Sequence, residues 1–161
     1  MTNEETLTIS LTVNGEPVTK TVPSRQHLVD FLRVDLGLTG SHLGCEHGVC
    51  GACSVRVDGD VVRGCLMLAA QADGADVVTI EGLSDSGEIA DLQRAFVERN
   101  ALQCGYCTPG MLTTAAELLR DAKPMNRDEI RIFMSGNYCR CTGYQAIIDA
   151  IETTLNARLA K

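Results

Sequence analysis

Eight cysteines are the residues of this chain best suited to metal or redox chemistry, and they fall into two groups of four. The first group spans residues 45–65 and the second spans residues 104–141, with no cysteine between them. The chain opens on Met-Thr-Asn-Glu-Glu, which is typical of neither a secretory signal nor a transit peptide, so we expect a cytoplasmic protein. Because disulfides are rare in a reducing compartment, clustered cysteines there indicate metal binding or redox function.

The first group has the spacing of a plant-type [2Fe–2S] ferredoxin, Cys45-x4-Cys50-x2-Cys53 followed by Cys65. A cluster bound by four thiolates is anionic and gains negative charge on reduction, so it needs N–H donors around its sulfurs. A loop rich in glycine folds its backbone N–H groups inward because glycine accepts positive φ. We therefore predict that three loop glycines help to bind the cluster: Gly44, Gly48 and Gly51. Zinc is the alternative, but zinc prefers paired Cys-x2-Cys segments and the first group has one such pair.

The second group, Cys104-x2-Cys107 and Cys139-x-Cys141, has a less specific spacing. Each pair precedes a predicted helix, and a helix N-terminus stabilises nearby negative charge such as that of a thiolate. On spacing alone, three kinds of site remain open. They are a second iron–sulfur cluster, a zinc site, and a redox dithiol formed by Cys104 and Cys107.

Three segments around the cysteines resemble the iron–sulfur subunit of molybdenum hydroxylases, the xanthine dehydrogenase and carbon monoxide dehydrogenase family. They read GCEHGVCGAC at 44–53, QCGYCTPG at 103–110 and GNYCRCTGY at 136–144. The resemblance includes both cysteine groups in order and covers almost the whole chain. It implies eight cluster ligands, namely Cys45, Cys50, Cys53, Cys65, Cys104, Cys107, Cys139 and Cys141.

The resemblance also implies a place in a larger enzyme. Electrons would pass from a molybdenum cofactor, through two [2Fe–2S] clusters in series, to FAD. The molybdenum cofactor is expected on a large partner subunit and FAD on a medium one, in a dimer of heterotrimers. Gln103 and Cys141 are expected to approach the molybdopterin by hydrogen bonds. No catalytic residue is expected in this chain, which has neither a Rossmann Gly-x-Gly-x-x-Gly nor a P-loop.

Two other functions compete with that of an enzyme subunit. One is a free-standing two-cluster ferredoxin-type electron carrier, and the other is a structural zinc protein. A free carrier needs only one exposed cluster, so a second cluster in a helical domain favours fixed docking to a partner. The substrate stays open among carbon monoxide, aldehydes, purines and other N-heterocycles, because the partner subunit determines it.

The elements that must position the first group are short strands. Residues 7–13 alternate apolar and polar side chains, which is typical of a half-buried strand. Asn14-Gly15 then predicts a hairpin turn, with a return strand at 17–22 and a helix at 27–36. Further strands are predicted at 54–57, 60–62 and 77–80.

The second half of the chain changes to a helical period. Helices are predicted at residues 89–96 and from Thr108, Asn126 and Tyr144 onward. Thr108 is the expected N-cap of its helix, and Asn126-Arg-Asp-Glu129 resembles a capping box. The fold class is therefore α+β, with a mixed sheet and one helix over residues 1–82 and a four-helix bundle over residues 83–161. The resemblance implies that the first of these is a β-grasp ferredoxin-like domain.

Composition fits a packed protein with few aromatic rings. Hydrophobic residues make up 45% and aromatic residues 4%, which leaves few large rings to fill the core. The residues assigned to the core include Phe31, Phe96, Phe133, Met111, Met125 and Met134. A net charge of −7 argues against binding to nucleic acid or to an anionic membrane surface. No run of about 18 apolar residues occurs, so no membrane span is expected.

Overall fold

The computed structural model describes residues 5–160 and contains a five-stranded mixed sheet beside a group of helices. The acidic start of the chain, residues 1–4, lies outside the described residues. The strands are β1 (Thr6–Val13), β2 (Glu16–Pro23), β3 (Ser54–Val57), β4 (Asp60–Arg63) and β5 (Asp76–Val78). They follow the order β2-β1-β5-β3-β4, in which β1 and β5 run parallel and the other neighbours run antiparallel.

The first hairpin forms as its sequence predicts. Asn14 and Gly15 adopt φ of 52° and 85°, the left-handed conformations that a tight hairpin turn requires. The resulting register places Ile9, Leu11 and Val13 on the buried face of β1. The alternation of apolar and polar residues therefore does position one side of the sheet against the core.

One short helical segment packs across this sheet. It begins as α1 (Leu28–Asp30) and continues as a π-helical turn over Phe31–Asp35. The predicted helix at 27–36 is thus confirmed in position, but only its first turn is α-helical. Leu28, Phe31 and Leu32 are fully buried and join the core formed by the sheet.

Five helices follow the sheet in the chain. They are α2 (Ile80–Asp85), α3 (Ala90–Glu98), α4 (Thr108–Arg120), α5 (Arg127–Phe133) and α6 (Gln145–Leu159). Helices α3 to α6 confirm the four predicted from the periodicity. No helix formed by residues 5–160 is long and apolar enough to span a bilayer.

Helix α2 replaces the end of a predicted strand. Residues 77–80 were expected to be extended, but β5 ends at Val78 and Ile80 begins α2. The Asn14 side chain accepts a hydrogen bond of 2.8 Å from the Thr79 backbone N–H, which removes that donor from the strand ladder. Ile80 then packs in the helical core instead of the sheet. The contact responsible is long-range, so the local pattern did not reveal it.

The two predicted helix caps have different outcomes. At α5 the capping box is confirmed, because Asn126 Oδ1 accepts hydrogen bonds from two backbone N–H groups and Glu129 Oε2 accepts one of 2.7 Å from Asn126 N. At α4 the predicted Thr108 cap is wrong. Cys107 occupies the N-cap position, and the buried Thr108 hydroxyl has no hydrogen-bond partner among residues 5–160.

Each half of the chain has its own core. One core lies between the sheet and α1, and the other lies among α2 to α6. Phe31 and Phe96 are buried as predicted, but Phe133 is 39% exposed. The prediction for Phe133 is wrong because Ile130 and Met134 supply the buried contacts of this segment. The methionines assigned to the core lie in it or pack against it: Met111, Met125 and Met134.

Helix α4 joins the two halves. It packs on β3 and β4, and Glu117 Oε1 accepts a hydrogen bond of 3.2 Å from the Val61 backbone N–H. Arg56 on β3 makes a bidentate ion pair of 2.7 and 2.9 Å with Glu88, just before α3. These contacts hold the sheet against the helices and so fix where the two cysteine groups lie.

Candidate metal centres

The first cysteine group lies at the edge of the sheet, on the loop before β3 and on the residue pair that follows β4. Cys53 and Cys65 are buried, while Cys45 and Cys50 are half-buried. The thiols form two pairs, because Cys45 contacts Cys50 and Cys53 contacts Cys65. The Gly64 backbone N–H donates to the Cys53 carbonyl at 3.1 Å, so the β3–β4 hairpin positions both buried thiols.

Backbone N–H groups stabilise a thiolate in this loop. Those of His47 and Cys50 lower the pKa of Cys45 to about 6, and the Cys50 nitrogen lies 3.4 Å from Cys45 Sγ. Burial has the opposite effect on Cys53, whose pKa it raises to about 11. Hydrogen bonds therefore favour a thiolate at Cys45, whereas the buried Cys53 needs a positively charged ligand such as iron to hold it as a thiolate.

The predicted loop glycines lie against this group. A Cβ on Gly44 would lie 3.0 Å from Cys50 Sγ, and one on Gly48 would lie 2.4 Å from the Leu66 side chain. The donors that reach Cys45 belong to neighbouring residues, His47, Val49 and Cys50. The glycines thus allow the loop to close, and the N–H groups that reach Cys45 come from other residues.

The second cysteine group lies where the loops before α4 and α6 meet. Cys107 is the N-cap of α4, and Cys139 and Cys141 precede α6. Cys104 Sγ lies 3.6 Å from Cys141 Sγ, and Cys107 contacts Cys139. The outer pair, Cys104 and Cys141, is exposed, and the inner pair, Cys107 and Cys139, is half-buried.

The surroundings of the two inner cysteines shift their pKa values in opposite directions. Burial and the contact with Cys139 raise the pKa of Cys107 to about 12. Burial likewise disfavours a Cys139 thiolate, but hydrogen bonds outweigh it and lower the pKa of Cys139. The main donor is the Thr142 hydroxyl at 3.2 Å, joined by the Thr142 backbone N–H at 3.4 Å. Sequence reasoning missed Thr142, although a hydroxyl residue directly after Cys141 was a visible signal.

The pairing of the thiols fits a two-iron cluster. Each iron of a [2Fe–2S] cluster takes two thiolates, and each group presents two neighbouring pairs. Within residues 5–160, no three His, Cys, Asp or Glu side chains are gathered as a single metal ion would require.

Gln103 and Cys141 lie together at the exposed edge of the second group. Gln103 Nε2 donates a hydrogen bond of 3.0 Å to the Cys141 carbonyl, and both residues are exposed. The structure thus brings together the two residues expected to approach a pterin. Arg140 beside them is exposed as well.

The segments that carry the two groups contact each other directly. The Tyr138 backbone N–H donates to the Cys50 carbonyl at 2.9 Å, which joins a residue next to Cys139 with a residue of the first group. On the other side, the Tyr106 hydroxyl donates to the Leu43 carbonyl at 2.6 Å. The His42 ring stacks on Tyr106 with centroids 4.5 Å apart. The first loop is therefore held by both halves of the second group.

Two glycines allow the backbones of these segments to approach each other closely. A Cβ on Gly110, in the first turn of α4, would lie 2.1 Å from the Gly51 carbonyl oxygen. Gly51 itself has φ of +74°, and a Cβ there would lie 2.7 Å from the Gly136 carbonyl oxygen. Both contacts are with backbone, which cannot rotate away, so only glycine fits at either position.

A ferredoxin-like sheet domain beside a helical domain, each with four paired cysteines, defines a two-centre iron–sulfur protein. Comparison with protein families agrees. A family described as "2Fe-2S iron-sulfur cluster binding domain" matches residues 11–79, and one described as "[2Fe-2S] binding domain" matches residues 79–152.

Similar proteins identify the family. The chain is 53% identical over 150 residues to caffeine dehydrogenase subunit gamma of Pseudomonas sp. (strain CBB1), covering 90% of this chain and 89% of the relative. It is 52% identical over 143 residues to the nicotine 6-hydroxylase small subunit of Paenarthrobacter nicotinovorans, covering 89% and 86%. The crystal structure of quinoline 2-oxidoreductase from Pseudomonas putida 86 superimposes with a TM-score of 0.88 at 49% identity, covering 96% of this chain and 97% of that one.

The chain therefore belongs to the iron–sulfur subunits of the molybdenum hydroxylase family. It is an electron-transfer subunit of a multi-subunit oxidoreductase, with two [2Fe–2S]-binding domains and with the catalytic centre on a partner subunit.

Proposed function

We propose that the chain binds one [2Fe–2S] cluster in each cysteine group and passes electrons from a molybdenum cofactor on a large partner to FAD on a medium partner. A [2Fe–2S] cluster supplies one-electron transfer, which suits a path between a two-electron reaction and a flavin. The proposed ligands of the first cluster are Cys45, Cys50, Cys53 and Cys65. Those of the second are Cys104, Cys107, Cys139 and Cys141.

The exposure of the second group supports the order of the path. Its outer pair, Cys104 and Cys141, opens on the surface beside Gln103, where a partner's cofactor has access. Its inner pair is half-buried, and beside Cys139 the Tyr138 N–H donates to the Cys50 carbonyl of the first group. An electron that enters at the exposed outer pair would then pass to the first group across this contact. The exposed outer pair and the direct contact beside the inner pair are the observation on which the proposal rests.

The proposal extends to the assembly of the complete enzyme. We assign Gln103 and Cys141 to contact with the molybdopterin on the large subunit, and we place a dimer of heterotrimers as the complete enzyme. The proposed domain limits are residues 1–82 and 83–161, although α2 spans the point of division. A free two-cluster carrier is less well supported, because half of the second group is open to solvent unless a partner covers it.

Substitution of one inner-pair ligand tests the order of the path. In the purified complex, Cys107→Ser should remove the second cluster. Substrate added under anaerobic conditions should then no longer reduce the first cluster. Dithionite should still reduce it, as followed by visible absorbance and electron paramagnetic resonance. The N-heterocycles that give the two relatives their names are the first substrates to try.

Cys65→Ser is the matched control, since it removes a ligand of the first group. In that variant, substrate should still reduce the second cluster while transfer to the final acceptor stops. If substrate reduces the first cluster of the Cys107→Ser complex at the wild-type rate, the proposed order is wrong.

A further inference from the structure

We propose that Arg63 is a positioning residue that couples the two centres, because its side chain docks their loops on each other and places a positive charge between them. The inference rests on the proposed ligand sets. It assigns a role to a residue that neither cysteine motif contains.

The guanidinium of Arg63 contacts residues next to ligands of both groups. Arg63 ends β4, two positions before Cys65, and its Nη1 donates to the Ser54 hydroxyl, directly after Cys53. Its Nη2 donates to the Gly136 carbonyl at 2.8 Å, three positions before Cys139. One planar group therefore bridges the two ligand-bearing segments.

Arg63 also orients the segment that touches the first group. Its Nη2 lies 3.5 Å from Asn137 Oδ1, while Asn137 Nδ2 donates to the Gly51 carbonyl at 3.3 Å. Asn137 is only 2% exposed, so its amide has little freedom to take another partner. The next residue, Tyr138, makes the backbone hydrogen bond to Cys50. Loss of the Arg63 guanidinium would loosen this contact between the two groups.

The charge of Arg63 has no acidic partner. Among residues 5–160, no carboxylate lies within 4.0 Å of its guanidinium, and its three partners are a hydroxyl, a carbonyl and an amide oxygen. The side chain is half-buried, where solvent screens charge less than at the surface. A cluster becomes more negative on reduction, so an uncompensated cation beside both sites favours the reduced state of each.

Two other arginines show why this position is special. Arg140 lies between two proposed ligands in sequence, Cys139 and Cys141. It is exposed, however, so water screens its charge. Arg56 is about as enclosed as Arg63 and lies on the neighbouring strand, but Glu88 neutralises it with two hydrogen bonds.

The test compares Arg63→Met, Arg63→Lys and the control Arg56→Met in the complete complex. The measurements are the midpoint potentials of both centres and the magnetic interaction between them when both are reduced. Arg63→Met should lower both potentials and weaken the interaction. Arg63→Lys should keep potentials close to wild type but weaken the interaction, because an ammonium lacks the planar fork. Arg56→Met should leave both measurements unchanged.

Several results would overturn the role of Arg63. Unchanged potentials in an Arg63→Met complex with full iron content would contradict it, and so would an equal shift in Arg56→Met. If the Arg63→Met complex does not assemble, the Arg63→Lys complex is the test. An unchanged magnetic interaction between its two centres then refutes the docking role of Arg63. Failure of the proposed function looks different, because the wild-type complex itself would then lack one of the two centres.

Discussion

At the scale of single residues, the two cysteine groups are held in place by contacts with residues that are not proposed ligands. The spacing of the first group predicted its chemistry, and the structure pairs its thiols accordingly. Arg63 and Asn137 were not predicted, because their roles depend on contacts between segments distant in sequence. Only the fold shows that these segments meet. Thr142 was missed although its contact with Cys139 is local.

Replacing Gly110 by alanine should change the stability of the protein in the opposite direction from the same replacement in an ordinary helix. In an ordinary helix, Gly→Ala stabilises by about 1 kcal/mol. Here the new Cβ would meet the Gly51 carbonyl, so Gly110→Ala should destabilise the protein by about 1–3 kcal/mol. The measurement is the midpoint of thermal unfolding of the cluster-loaded protein.

Gly82→Ala in α2 is the matched comparison. Its Cβ would also be crowded, but by side-chain atoms of Asn14 and not by backbone. Its loss of stability should therefore be smaller. A higher unfolding midpoint for Gly110→Ala than for wild type would show that the two loops do not meet as described.

At the scale of elements, local signals succeeded where local contacts decide the structure. The Asn14-Gly15 turn and the Asn126 capping box were both predicted, because each is formed by residues close in sequence. The start of α2 and the cap of α4 were not predicted. Asn14 ends β5 from a distance, and Cys107 takes the cap position that Thr108 was expected to fill.

The capping box gives the prediction at this scale. Asn126→Ala removes an acceptor from two backbone N–H groups at the start of α5, so it should destabilise the protein by about 1 kcal/mol. Asn126→Ser keeps an acceptor and should cost little. Circular dichroism during thermal unfolding measures both variants, and equal midpoints for Asn126→Ala and wild type would contradict the cap.

At the scale of the whole molecule, two domains with separate cores bring two cysteine groups into contact. Helix α4 is the element that joins them, since it packs on β3 and β4 while Cys107 lies at its N-terminus. The same geometry explains the unequal exposure of the groups. The inner pair of the second group is half-buried, and its exposed outer pair is left for a partner.

The most direct test of the whole account is spin and iron quantitation on the fully reduced complex. We predict two distinguishable paramagnetic signals that together account for about two unpaired electrons and about four irons per chain. A single signal with about two irons per chain would contradict the assignment of a cluster to each cysteine group, and a colourless chain that holds zinc would contradict both.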